Sequence, residues 1–136
     1  MTRLFHVEHP PARAASKTYM TGSEGVLQDE ILGWLASALP GPAWIENRHG
    51  SPESRRGVPD IEVIVFGRSA FIECKAQCQG ADPQQRLVMR RLKNAGSVVG
   101  VAWRLDDAYN IVEALASGRV GAIIGPIEPG GEEHVG

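Results

Sequence analysis

The 136 residues are enough for one domain with its own core and too few for two ordinary ones. An apolar share of 43% beside 22% charged residues belongs to a globular chain and excludes a disordered or fibrous one. A formal net charge of -2 gives no overall basic footprint, so any contact with nucleic acid has to come from a local excess of cations.

Such excess exists in two places. From Lys75 to Lys93 there are five basic residues, Lys75, Arg86, Arg90, Arg91 and Lys93, against the single acid Asp82. Arg48, His49, Arg55 and Arg56 crowd one loop. Charge runs of this size are more often solvated faces than binding sites. No apolar run approaches the roughly 18 residues of a membrane span, and the N-terminus has no signal-peptide core, so a cytoplasmic protein without a membrane partner is expected. Cys74 and Cys78 lack the further ligands a zinc site needs and are expected as free thiols.

In chain order, residues 1–20 carry Pro10, Pro11 and scattered charges without a period, which predicts a poorly ordered arm or a partner-binding extension. From Ser23 to Leu39, Leu27, Ile31, Trp34, Leu35 and Ala38 recur at helical spacing until Pro40-Gly41-Pro42 stops the pattern. A short extended piece, Ala43 to Asn47, precedes a loop from Arg48 to Pro59 rich in Arg, Gly, Ser and Pro, a candidate substrate contact. Two β-rich runs, Asp60 to Phe66 and Ser69 to Lys75, read as an antiparallel hairpin.

Pro83 to Ala95 is predicted as a helix with Val88, Met89, Leu92 and Ala95 on one stripe and Gly96 as its stop. Val98 to Trp103 is a strand, Asp106 to Ser117 a helix and Val120 to Ile127 a strand; a polar tail runs from Pro129 to Gly136. The domain therefore spans residues 21–128, an α/β fold with a mixed sheet, an antiparallel hairpin and flanking helices.

The chemistry concentrates on the hairpin. If it turns symmetrically between Phe66 and Gly67, Asp60 lies opposite Glu73, with Cβ atoms roughly 4.5 to 5.5 Å apart. Two opposed acids repel each other, and a divalent cation between them explains the arrangement. Lys75, two residues along, shares the face of Glu73, while Ile72 and Cys74 point the other way. Carboxylates, a cation and an adjacent lysine are the minimum equipment for hydrolysing a phosphodiester. The competing reading makes Asp60 a loop cap and Glu73 and Lys75 a solvated pair; Glu62, on the face of Asp60, is a helper or a decoy.

Glu24 shares the inward stripe of the first helix and either reaches the same site or closes a capping box with Thr21, with Glu30 as a substitute. Gln85 precedes Val88, Met89 and Leu92 by three, four and seven residues, which turns it toward the sheet, one step from Gln84. A core-facing amide beside carboxylates can orient one of them or a phosphate; a surface glutamine is the commoner explanation.

Gly57-Val58-Pro59-Asp60, Phe71-Ile72-Glu73-Cys74-Lys75 and Pro83-Gln84-Gln85-Arg86, closed by Ala95-Gly96, resemble the VRR-NUC family of the restriction-endonuclease-like PD-(D/E)XK superfamily over about Ser23 to Ala116. The resemblance implies a magnesium- or manganese-dependent nuclease. Asp60, Glu73 and the backbone carbonyl of Cys74 would be metal ligands, Lys75 the catalytic lysine, Glu24 the first-helix acid acting directly or through water, and Gln85 the second-helix glutamine.

Stand-alone members of that kind, in phages and bacteria, act as homodimers on branched DNA including Holliday junctions, which implies a bacterial or phage-infected cytoplasm. Arg48, His49, Arg55, Arg56, Arg86 and Arg90 are the candidate DNA contacts. The insertion Ser51 to Arg56 and the N-terminal arm depart from the family pattern. The alternatives are a general flap or single-strand nuclease, a non-catalytic DNA-binding module, or an interaction subunit with Trp34, Trp44 and Trp103 on its surface.

Overall fold

A computed structural model describes residues 2–11, 24–48 and 56–129. Within them, helix α1 (Glu24–Ala38) is followed by strands β1 (Ala43–Asn47), β2 (Ile61–Val65) and β3 (Arg68–Cys74). Helix α2 (Pro83–Asn94), strand β4 (Val98–Ala102), helix α3 (Leu105–Ala116) and strand β5 (Ala122–Ile124) complete the order. The strands form one mixed sheet in the order β1-β2-β3-β4-β5. The first three are antiparallel neighbours, and β4 and β5 run parallel to β3 after helical crossovers. The α/β architecture expected from the sequence is therefore present.

Alternation along the strands divides the core. Ile61, Val63, Val65, Ala70, Ile72, Cys74, Val98 and Ala102 face the main cluster, with Leu27, Ile31 and Leu35 of α1 and Ile111, Val112 and Leu115 of α3. Phe71, Val99 and Val101 face the other side, where they meet Ala81 and Met89 under α2. β4 is buried at every position, as a strand between two helical layers must be.

The β2–β3 register pairs Ile61 with Ile72 and Val65 with Arg68, so the turn is Phe66-Gly67, centred where the symmetric register requires but one residue earlier than the Gly67-Arg68 break between the two β-rich runs. Both turn residues have positive φ, 51° and 74°, the backbone of a two-residue turn that matches the strand twist. The sequence placed the last strand at Val120 to Ile127, but it spans only Ala122–Ile124. Gly121 and Gly125, at φ 65° and 74°, flank it and break the extended backbone at either end.

The arm also differs from its expectation. Phe5 and Val7 belong to the main core, Val7 with only 2% exposure. The Leu4 amide donates to the Ala116 carbonyl at 2.7 Å, and Arg3 pairs with Glu113 at 2.6 Å. Two apolar residues at alternating positions are enough to tie residues 2–11 to α3, a signal too short to register as a period. Residues 12–20 of the expected arm, the Thr21 cap and nearly all of the polar tail lie outside the described residues. No described helix is long and apolar enough to cross a membrane.

If the arm is part of the fold, Phe5→Ala lowers unfolding free energy by about 3 kcal/mol in urea titration, the cost of truncating a packed aromatic. A loss under about 0.5 kcal/mol, as for an exposed residue, contradicts this placement.

Candidate active site

The site lies at the C-terminal end of β3, where a helix approaches from each face of the sheet. Asp60 immediately precedes β2 and Lys75 immediately follows β3, so both leave the ladder where their side chains are no longer confined by it. The Cys74 amide donates to Asp60 Oδ2 at 2.9 Å, and the Arg48 amide donates to the Asp60 carbonyl at 2.6 Å. In an extended strand the N–H and C=O of one residue point the same way, so the Cys74 carbonyl faces the Asp60 side too.

The loop that introduces Asp60 is set by close packing. Gly57 has φ +88°, and a Cβ there would meet Gln84 Cγ at 2.9 Å and Val88 Cγ2 at 3.0 Å. Glycine alone lets the loop lie this close to α2, and buried Pro59 then fixes the approach to the carboxylate.

Glu73 is 3% exposed. Its Oε2 accepts from Gln85 Nε2 at 3.0 Å and lies 3.5 Å from Lys75 Nζ. Its pKa is raised to about 8, first by burial, then by the Asp60 carboxylate and more weakly by Glu24, against the opposing effect of Lys75. Asp60, Glu73, Lys75, Glu24 and Gln85 are thus brought into one neighbourhood. Cys74 points into the main core, and burial drives its thiol pKa well above the ordinary value. Both cysteines are free, with Cys78 exposed.

The direction in which Gln85 points is determined by a second bond. Asp82 caps α2 by accepting from the Gln85 amide at 2.8 Å, and Gln85 Oε1 accepts in return from the Asp82 amide at 2.9 Å. With its oxygen engaged there, the side chain has its NH2 to offer Glu73. This Asp82-x-x-Gln85 capping box, not identified from the sequence, is what orients the site residue.

Gln28 shares the inward stripe of α1 with Ile31 and Leu35 but was not singled out from the sequence. It is 4% exposed and donates to Asn47 Oδ1, linking α1, one turn beyond Glu24, to the strand end beside Asp60.

Other candidates are placed elsewhere. Glu62 and Glu46 face each other across β1 and β2 and hold Arg48 at 3.0 and 2.8 Å. Glu62 is thereby engaged as a structural partner, and Arg48 has its charge matched. Gln84 is exposed on α2, and Glu30 is not among the groups acting on Glu73. Arg56 and Arg90 are exposed, and Arg86 donates to the Ala81 carbonyl at 2.6 Å and to Glu128 at 3.4 Å. His49 and Arg55 lie outside the described residues. Trp34 and Trp103 pack against the two cores, whereas Trp44 is 56% exposed.

Among the described residues no three His, Cys, Asp or Glu side chains converge closely enough to hold a metal ion on their own. The available donors are two carboxylates and a backbone oxygen, with Glu24 the weakest of the charges acting on Glu73. That set fits magnesium or manganese, which take one or two carboxylates and complete their shell with water and phosphate oxygens, and does not fit a closed zinc cage. A divalent charge would also relieve the repulsion that raises the Glu73 pKa. Comparisons with family models, with curated proteins and with solved structures gave no match.

In metal-free buffer, the carboxylate of Glu73 costs stability progressively from its ordinary pKa of 4.5 up to about 8, because the folded state holds the proton more tightly than the unfolded one. Glu73→Gln removes that cost. It should be more stable to unfolding than wild type near pH 8, by on the order of a few kcal/mol, with the advantage fading below about pH 4.5. An advantage of the same size at both ends contradicts the assignment.

Proposed function

We propose that this chain is a magnesium- or manganese-dependent DNA endonuclease, similar to the VRR-NUC family, that hydrolyses phosphodiester bonds in branched DNA. The observation that carries this reading is the buried Glu73 carboxylate, bonded to Gln85 and Lys75 and set among further acids. Such a cluster is costly for folding alone and suited to charge-rich chemistry.

Asp60 and Glu73, with the Cys74 carbonyl, would hold the cation. When bound, such an ion makes its water more acidic at neutral pH and neutralises charge on a phosphoryl oxygen. Gln85 holds Glu73 in place through Oε2. Lys75, beside that oxygen, orients the attacking water and takes part in moving its proton. Glu24, outside the direct donor set, acts through a hydrogen-bonded water. Paired cuts in a four-way junction require two sites related by symmetry, so this reading includes a twofold homodimer.

The test is cleavage of labelled four-way junction, flap and linear duplex DNA by wild type and Asp60→Ala, with magnesium, manganese or EDTA. Symmetric paired cuts in the junction that need both metal and Asp60 are expected, with at least about a hundredfold loss in the variant, the scale of removing a charge-stabilising group. Cleavage of flaps or single strands by a monomer would replace the junction preference with a general nuclease. Binding to all three substrates without metal-dependent cutting would make the chain a non-catalytic DNA-binding module.

A further inference from the structure

The cations of this chain differ sharply in how they are matched. Arg3 is held by Glu113, Arg48 by Glu46 and Glu62, and Lys75 by Glu73. Arg90, Arg91, Lys93 and Arg119 form no ion pair with the described residues. α2 contains no acid between Pro83 and Asn94, although the chain as a whole is acidic.

Helical spacing orders these charges. Gln85, Val88, Met89 and Leu92 form the inward stripe of α2, and Arg86, Arg90 and Lys93, separated by four and three residues, form a second stripe along its flank. It extends roughly 10 Å at the rise of an α-helix. Its first member directly follows Gln85, which holds Glu73. At its far end Lys93 joins Arg119 in lining a cleft of about 450 Å³ beside Gly121, Ala122 and Ile123 on the outer side of β5.

We propose that Arg90, Lys93 and Arg119 form a phosphate-binding track that holds a nucleic-acid backbone outside the catalytic cluster. The inference rests on the nuclease reading for its substrate but concerns residues remote from the chemistry. Unmatched cations in a row are what a phosphodiester backbone recognises, because each phosphate neutralised releases condensed counterions. The track also moves the expected contacts away from Arg48, whose charge is already taken.

The experiment measures binding of labelled four-way junction and linear duplex DNA in EDTA across a salt series. It compares wild type, the triple variant Arg90→Gln/Lys93→Gln/Arg119→Gln, and Arg3→Gln as a control for loss of a matched cation. Each phosphate contact contributes about 0.9 to the slope of log affinity against log salt, so the triple variant should lose between about 2 and 3 from it. Arg3→Gln should leave unchanged both the slope and the turnover at saturating DNA with magnesium.

A triple variant with the wild-type slope overturns the track while leaving the nuclease reading intact. Loss of slope in a protein that never cleaves DNA supports the track and removes the catalytic reading. Wild type that binds neither DNA at low salt overturns the track, while the nuclease reading is decided by cleavage in magnesium or manganese.

Discussion

A carboxylate removed from water must be neutralised, hydrogen-bonded or paired, and Glu73 meets this requirement in a crowded way. One of its oxygens takes a hydrogen bond from Gln85 and lies near the Lys75 ammonium, while Asp60 and Glu24 press on it with like charge. One lysine against three acids leaves a negative excess, and protonation near neutral pH is the answer available to the protein alone. A divalent cation is the other answer, and it is the one that does chemistry on phosphate esters.

The surrounding fold is arranged around that residue. The two-residue turn at Phe66-Gly67 sets the β2–β3 register, which brings the residue before β2 level with the end of β3. Gly57 lets the preceding loop press against α2, and the α2 capping box leaves the Gln85 amide donor for Glu73. The buried Gln28–Asn47 bond ties α1 to the same end of the sheet. A group on each face and a loop at the edge thus meet at one point because each is held by its own local bonds.

The hairpin and the placement of its acids were legible in the sequence because strand alternation is strict: one register puts Asp60 opposite Glu73 and sends Cys74 to the other face. The helices followed from their apolar spacing, with ends off by one residue where caps decide. What escaped had no periodic signature. Phe5 and Val7 are two apolar residues in a polar stretch, and only tertiary packing shows that they belong to the core. Gln28 sits on the same stripe as Ile31 and Leu35, where a buried amide is indistinguishable from a surface one until its partner is seen. The pairing of Arg48 with Glu46 and Glu62 was not legible either, because the two acids come from separate strands that only the sheet register aligns.

The most direct test of the central claim is the titration of the Glu73 side-chain carboxyl by carbon-detected NMR, without divalent ion and with saturating magnesium. The account predicts a pKa near the value of about 8 in metal-free protein, and a carboxylate that stays ionised down to about pH 5 or below once magnesium is present. An ordinary carboxylate titration in metal-free protein, or a raised pKa that magnesium leaves in place, would contradict it.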